Sequence, residues 1–392
     1  MSPPIPIAPP PEKRVFVAYL DHNATSPLRP EVRAALERAL ALGANPSSIH
    51  AGGRASRATI ERAREQVADA TGVQADEVIF TSGGTEANAL ALHGAIEGAA
   101  DRGEQITQLF VSAIEHDSVL ATAEAIAQCT SGLRLQFIPI DGNGAADLDA
   151  LRGMLREGRG RALIALMAAN NETGVVQPVA EAAAIARAAG AILFIDAVQA
   201  FGKMPLPEAD YLSLSAHKIG GPQGTGALIV RHDAPLLHQL VGGGQERGLR
   251  AGTENVAGIA GFGAAAEAAA PIDSSLRDRF ETQLRACAPD VAIFGANAER
   301  LSNTSNFALP GIAAETAIIS LDLDGVMVSS GAACSSGKVR PSRVLKAMGV
   351  PDEIARCALR ASFGWNSVED DVNAAIAAIA QLLARAPARE AA

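Results

Sequence analysis

The residues able to do chemistry lie in four segments, each following an apolar run of strand character. In Ser213-Leu214-Ser215-Ala216-His217-Lys218-Ile219-Gly220-Gly221-Pro222-Gln223-Gly224, Lys218 stands just past such a run and inside a glycine-rich loop. An amine among small neighbours leaves room for a bound group, and desolvation lowers its pKa, which suits imine formation with a carbonyl. The plainer alternative is a lysine that contacts a phosphate or solvent. In Phe194-Ile195-Asp196-Ala197-Val198-Gln199 a carboxylate closes an apolar strand. Alone, Asp196 reads as a helix cap. With Lys218 following 22 residues later, it reads as the partner of a cationic ring nitrogen. An imine lysine and a pyridinium partner are the pair a pyridoxal phosphate site requires.

The other two segments add an anion cradle and a thiol. Thr81-Ser82-Gly83-Gly84-Thr85-Glu86 runs from a strand through two glycines into a helix. Glycine lets backbone approach an anion, and a helix N-terminus supplies N–H donors and a positive dipole end. The same residues also make an ordinary strand–helix turn capped by Thr85. The pattern is neither GxGxxG nor a P-loop, so no nucleotide fingerprint is expected. In Ser329-Ser330-Gly331-Ala332-Ala333-Cys334-Ser335-Ser336-Gly337-Lys338 small residues surround one cysteine, with Arg340 close behind. A free thiol has a pKa of about 8.5, and nearby cations raise its thiolate share. Structural cysteines sit among bulky apolar residues, as Cys357 does; Cys334 reads as a nucleophile.

These segments must be held by regular elements, and the pattern alternates helix with strand. Helices are expected over Arg54–Thr71 (closed by Gly72), Thr85–Ala100, His116–Cys129 and Val179–Ala189. Strands are expected over Val78–Thr81, Gln108–Ser112, Leu135–Ile140, Ala162–Ala168 and Ala191–Ile195, the last ending at Asp196. Strands separated by helices imply crossover units and a mainly parallel, buried sheet, with ligands beyond the carboxyl ends of its strands. After Gly252 the texture changes: a helix of small residues runs from about Thr253 to Ala270, Pro271 stops it, and a final amphipathic helix covers about Val368–Leu383. The domain division is placed at 271. Residues 1–14 read as a Pro-rich, disordered or polyproline-like tail.

The chain's composition excludes several classes. With 392 residues, 48% of them hydrophobic and 19% charged, it can bury large cores and does not read as disordered. A net charge of −10 argues against a general nucleic-acid or anionic-membrane binder. Cys129, Cys287, Cys334 and Cys357 form no CxxC pair and are too few for a disulfide framework. The histidines form no HExxH cluster, so no zinc site is expected. There is no apolar run of roughly 18 residues, and the N-terminal stretch lacks a signal peptide's basic-then-apolar order. A cytoplasmic, reducing environment is the expectation.

Taken together, the segments resemble the NifS/IscS family of cysteine desulfurases among the class V, fold-type I pyridoxal phosphate enzymes. The resemblance starts at Tyr19-Leu20-Asp21-His22-Asn23-Ala24-Thr25 and continues through "GANPSSIH" (43–50), "TSGGTEAN" (81–88), "EHDSV" (115–119) and "NNETGVVQP" (170–178). It goes on through "IDAVQ" (195–199), "SAHKIGGPQGTGAL" (215–228), "GGGQERGLRAGTEN" (242–255), "SSGAACSSGK" (329–338) and "LRASFG" (359–364). It implies a large cofactor domain over 28–270, with a mainly parallel seven-stranded sheet between helices. It also implies a smaller α+β C-terminal domain over 271–392, carrying the cysteine loop and the substrate arginine, with 15–27 joining the small domain.

The resemblance also implies roles. Lys218 holds pyridoxal 5'-phosphate and moves the substrate's Cα proton. Asp196 pairs with the ring nitrogen, Gln199 with the phenolic oxygen, and His116 stacks on the ring and assists proton transfer. Gly84, Thr85, Ser215 and His217 hold the phosphate, joined by Thr253 of the other subunit, so a homodimer is implied. Arg360 and Asn171 take the carboxylate of L-cysteine. Cys334 accepts the sulfur as a persulfide and passes it to an acceptor, of which an iron–sulfur scaffold protein is the commonest. No metal belongs in the site, although Cys334 could touch iron or a cluster transiently with a partner.

Two departures stand out. Ala87-Asn88-Ala89 replaces a pair of polar residues, so a secondary polar contact is expected to be missing. Ala361 replaces a phenylalanine, with Trp365 following, so packing around Arg360 is expected to differ. An aminotransferase or selenocysteine lyase of the same fold is the competing enzyme reading, separated by whether activity on cysteine needs Cys334. A non-catalytic phosphate-binding module or an assembly scaffold leaves the joint occurrence of Lys218, Asp196 and Arg360 unexplained.

Overall fold

The computed structural model describes residues 18–330 and 342–385. The Pro-rich tail, Cys334 and its neighbours Gly331, Gly337, Lys338 and Arg340 lie outside the described residues. Strands are β1 (Ala18–Tyr19), β2 (Val78–Thr81), β3 (Ile106–Ser112), β4 (Arg134–Ile138), β5 (Arg161–Met167) and β6 (Ile192–Asp196). They continue with β7 (Tyr211–Ser215), β8 (Gly226–Val230), β9 (Ala292–Phe294), β10 (Thr304–Ala308), β11 (Val326–Met327) and β12 (Ala358–Ser362). Seven of them make one sheet in the order β2-β8-β7-β6-β5-β3-β4. Its pairs are parallel except those of β8, which runs antiparallel to both neighbours. The expected mainly parallel seven-stranded sheet is therefore present, with one reversed strand.

Both faces of this sheet are covered, which is why β5 and β6 read as continuous apolar runs. Residues Ile164 and Leu166 of β5 point into one core, with Ile60 and Val67 of α2 (Ala51–Thr71). That core also takes Leu151 of α5 (Leu148–Glu157), Ala182 of α6 (Val179–Ala189) and Phe262 of α7 (Val256–Ala268). Alternate residues Leu163 and Ala165 face the other core, with Leu92 of α3 (Gly84–Asp101) and Leu120 of α4 (Asp117–Cys129). Helix α1 (Pro30–Leu40) lies against α7.

A second, antiparallel sheet has the order β12-β10-β9, and β1 pairs with β11 in parallel. Helices α8 (Ser275–Cys287), α9 (Ala314–Leu323) and α12 (Glu369–Arg385) bury Phe280, Leu321 and Ile379 with Leu20, Phe307 and Phe363. Two short helices, α10 (Arg343–Ala347) and α11 (Asp352–Ala355), follow the undescribed segment. Val344 and Leu345 of α10 pack with Ile114 and Met167 from the large sheet's side, so apolar contact joins the two sheets; buried Cys357 belongs to the same cluster. Among the described residues, no helix is long and apolar enough to cross a membrane.

Boundaries moved where a capping group outranked composition. Asn255 Oδ1 accepts from Gly258 N, so the helix expected from Thr253 begins at Val256 and ends at Ala268. The last helix covers Glu369–Arg385, with Asp371 Oδ2 accepting from Val368 N. Helices α1 and α5 were not anticipated, although Asp147 caps α5 by accepting from Asp149 N and Ala150 N.

Candidate active site

The loops at the carboxyl ends of β2, β3, β5, β6 and β7 converge, as open α/β sheets dictate for a ligand site. Asp196 is the last residue of β6 and is buried. Its Oδ2 accepts from Asn88 Nδ2 at 2.9 Å and its Oδ1 from Val198 N at 3.0 Å. Asn88 is the only polar side chain of the Ala87-Asn88-Ala89 stretch and supplies one contact to Asp196, and neither flanking alanine can add a second. Asn88 Nδ2 also donates to Ser118 Oγ at 2.8 Å, and Ser118 Oγ lies 2.8 Å from His116 Nδ1. His116 is also the N-cap of α4, accepting from Ser118 N. These two contacts fix the imidazole's orientation. Beside Asp196, the fully buried Glu115 carboxyl is pushed well above its usual range by burial and by the Asp196 charge.

Lys218 sits in the turn that follows β7. Its Nζ donates to the carbonyls of Asn23 at 2.7 Å and Ala24 at 2.8 Å. Gln199 Nε2 donates to the same Asn23 carbonyl at 2.9 Å, while its Oε1 accepts from Lys203 Nζ at 2.8 Å. His217 Nδ1 is 3.0 Å from Thr25 Oγ1. Burial and the neighbouring Lys218 lower its pKa to about 4, so the ring is neutral at pH 7.

Arg360 lies on β12, in the second sheet, and is 4% exposed. Its Nη1 donates to the Asn171 carbonyl at 2.9 Å and its Nη2 to Asp21 Oδ1 at 2.7 Å. Its Nε is buried without a partner. A buried guanidinium N–H left unpaired is costly unless a ligand takes it. Ala361 is wholly buried, and Trp365 donates Nε1–H to the Pro27 carbonyl with Arg29 over its ring at 5.4 Å.

Asn23 binds these parts together, and sequence reasoning gave it no role. Its Nδ2 donates to Thr304 Oγ1 at 2.9 Å and to the Asn171 carbonyl at 3.3 Å. Its Oδ1 accepts from Asn303 Nδ2 at 3.0 Å, and its backbone N donates to Ser362 Oγ. The signal available was its place inside the Asp21-His22-Asn23-Ala24-Thr25 motif.

The residues present fit pyridoxal phosphate. The cap of α3 is Gly83, which offers no side chain, so first-turn N–H donors remain for an anion. A Cβ at Gly84 would lie 2.8 Å from Val198 Cγ2, so this approach admits only glycine without rearrangement. Ser215 is buried beside it at the end of β7, while Thr85 and Thr253 are exposed. Ser213 Oγ and Asn88 Oδ1, on either side of Asp196, are buried without partners.

A family model described as Aminotransferase class-V matches residues 18–375. A cysteine desulfurase of Cereibacter sphaeroides is 43% identical over 363 residues, covering 90% of this chain and 92% of that protein. Among solved structures, a NifS-like protein superposes with a TM-score of 0.85 at 31% identity, covering 94% of this chain and 100% of its own. The structure of SspA in complex with cysteine matches with a TM-score of 0.78 at 29% identity, covering 90% and 100%. The family match spans the lysine turn, the aspartate strand and the arginine strand, and with 43% identity over nearly the whole of a cysteine desulfurase this chain belongs to the class-V aminotransferase family and, within it, to the NifS/IscS-type cysteine desulfurases, which are pyridoxal phosphate enzymes.

Proposed function

We propose that this chain binds pyridoxal phosphate and takes sulfur from L-cysteine, leaving L-alanine and a persulfide on Cys334. The observation that carries the reading is that Asn23 ties Lys218 to Asn171 and so to Arg360, from two different sheets. When bound, the cofactor supplies an electron sink conjugated to the substrate's Cα. Asp196, fixed by Asn88 and the Val198 N–H, holds a proton on the ring nitrogen. Gln199 donates to the phenolic oxygen, and His116 covers the ring and assists proton movement. Gly84, Thr85, Ser215 and His217 hold the phosphate, with Thr253 reaching it from the second subunit of a homodimer.

Arg360 and Asn171 orient the substrate carboxylate, with the unpartnered Nε as a ready donor. Lys218 Nζ takes the Cα proton, which needs an amine within reach of that carbon. Cys334 attacks the substrate's sulfur: the carbon–sulfur bond breaks, the sulfur joins Cys334 Sγ, and protonation completes the methyl group of alanine. No external oxidant or reductant enters this balance. Residues 28–270 form the cofactor domain, 271–392 with 15–27 the small domain. The sulfur then passes to an acceptor protein for iron–sulfur cluster assembly or another thio-cofactor, in the cytoplasm.

The test is to add L-cysteine without reductant to the loaded enzyme and weigh the peptide containing Cys334. Gain of one sulfur atom on that peptide is expected. An unmodified peptide despite alanine release would instead support a lyase that does not use the thiol.

A further inference from the structure

A second lysine, Lys203, sits behind the site and none of the roles above uses it. It follows Gln199 by one turn, with its backbone N donating to the Ala200 carbonyl. Its Nζ donates to Gln199 Oε1 at 2.8 Å and to Asn23 Oδ1 at 3.4 Å. Both acceptors are neutral amide oxygens, and among the described residues no carboxylate lies within ion-pair distance. A cavity of about 30 Å³ beside it is lined by His22, Arg29, Lys218 and Trp365, again without an acid. A buried ammonium so surrounded is costly. Burial, then Lys218 and Arg360, push its pKa down to about 7.

An ammonium has three donors and no acceptor. While charged, it can face only the oxygen end of an amide. Gln199 must therefore turn Oε1 toward Lys203 and Nε2–H away from it, toward the Asn23 carbonyl that also receives Lys218. Asn23 is fixed independently, its Oδ1 accepting from Asn303 Nδ2 at 3.0 Å and its Nδ2 facing Thr304 and the Asn171 carbonyl that Arg360 contacts, so the orienting role of Lys203 falls on Gln199. We propose that Lys203 is a positioning residue of the desulfurase site, holding the amide of Gln199 in the orientation that presents a donor, not an acceptor, toward the cofactor beside Lys218. This rests on the reading of Gln199 as the donor to the cofactor's phenolic oxygen.

The experiment compares Lys203→Met, Lys203→Arg, Gln199→Met and the Lys203→Met/Gln199→Met double variant, each loaded with pyridoxal phosphate. The readouts are the visible absorption band before cysteine is added, and kcat and KM for L-cysteine afterwards. Lys203→Met should retain the cofactor, displace the band as Gln199→Met does, and lose about ten- to a hundredfold in kcat with little change in KM. Lys203→Arg, which keeps a cationic donor, should return the band toward wild type. The double variant should match Gln199→Met, since the two act through one hydrogen bond. A Lys203→Met band and kcat equal to wild type would overturn the proposal, as would effects that add in the double variant. If Lys203→Met fails to fold, a Lys203→Arg band no nearer to wild type than that of Gln199→Met would overturn it. If Gln199→Met leaves the band unmoved, the role of Gln199 itself fails, which is a distinguishable result.

Discussion

Arg360 shows how a single side chain can be held ready and still available. Two of its nitrogens are engaged by Asp21 and the Asn171 carbonyl, and Nε is the donor left over. A hydrogen bond to a charged group contributes about 1.5–3 kcal/mol, so Arg360→Ala should raise KM for L-cysteine by about ten- to a hundredfold. Steady-state kinetics on the loaded enzyme would measure this. Arg360→Lys should recover only part of the loss, because an ammonium lacks the planar fork; full recovery would show that charge alone suffices. At this scale the sequence was informative where a residue's chemistry is odd for its neighbourhood, as with Lys218 in a glycine loop. It gave no role to Asn23 and Lys203, which meet each other 180 residues apart in the chain, while Asn23 also bonds Thr304, 281 residues away. Hydrogen bonds that join distant segments leave no local pattern to read.

Elements place these side chains, and two of them carry tests. The turn from β2 into α3 depends on Gly84, since a Cβ there meets Val198 Cγ2 at 2.8 Å. Overpacking of this kind costs about 1–3 kcal/mol, and here it falls between the first turn of α3 and Val198. Gly84→Ala should therefore lower the melting temperature of the apoprotein and also release pyridoxal phosphate more readily in equilibrium dialysis. The loop carrying Thr253 depends on Glu246. That residue adopts φ 44° and accepts from Arg64 Nη1 at 2.7 Å, from Arg64 Nη2 at 2.9 Å and from Phe80 N at 2.9 Å. Removing one partner of a buried pair leaves the other charge uncompensated, so Glu246→Ala should lose about 3–5 kcal/mol in urea unfolding. The helix Val179–Ala189 and the strand Val78–Thr81 were legible to the residue, because turn chemistry bounds them: Gly190 takes the left-handed conformation after the helix. Helix α5 was not, since its Asp147 cap is a weak signal beside the apolar runs on either side.

Across the whole molecule, burial of neutral histidines couples folding to pH. His22 is lowered to about 4 by burial, then by Lys203 and Arg29, and His217 to about 4 by burial and Lys218. In the unfolded chain both take a proton near pH 6.5. Between about pH 6.5 and 4 the unfolded state therefore binds more protons, so their contribution to stability is complete above that window and is lost as pH falls through it. His22→Gln should therefore raise the urea midpoint of the apoprotein at pH 4.5 relative to that at pH 7.5, compared with wild type. The variant comparison separates this effect from Glu115 and Glu172, whose raised carboxyl pKa values act in the opposite direction. An unchanged pH dependence in His22→Gln would remove His22 from the account.

The claim on which everything else depends is that sulfur leaves cysteine through Cys334. Alanine release from L-cysteine, with a reductant present, should be measured for wild type and Cys334→Ala side by side, both loaded with pyridoxal phosphate. Wild type should release equal alanine and sulfide and the variant almost none, although its cofactor remains bound. Equal alanine from both would contradict it and leave a lyase whose chemistry does not pass through that thiol.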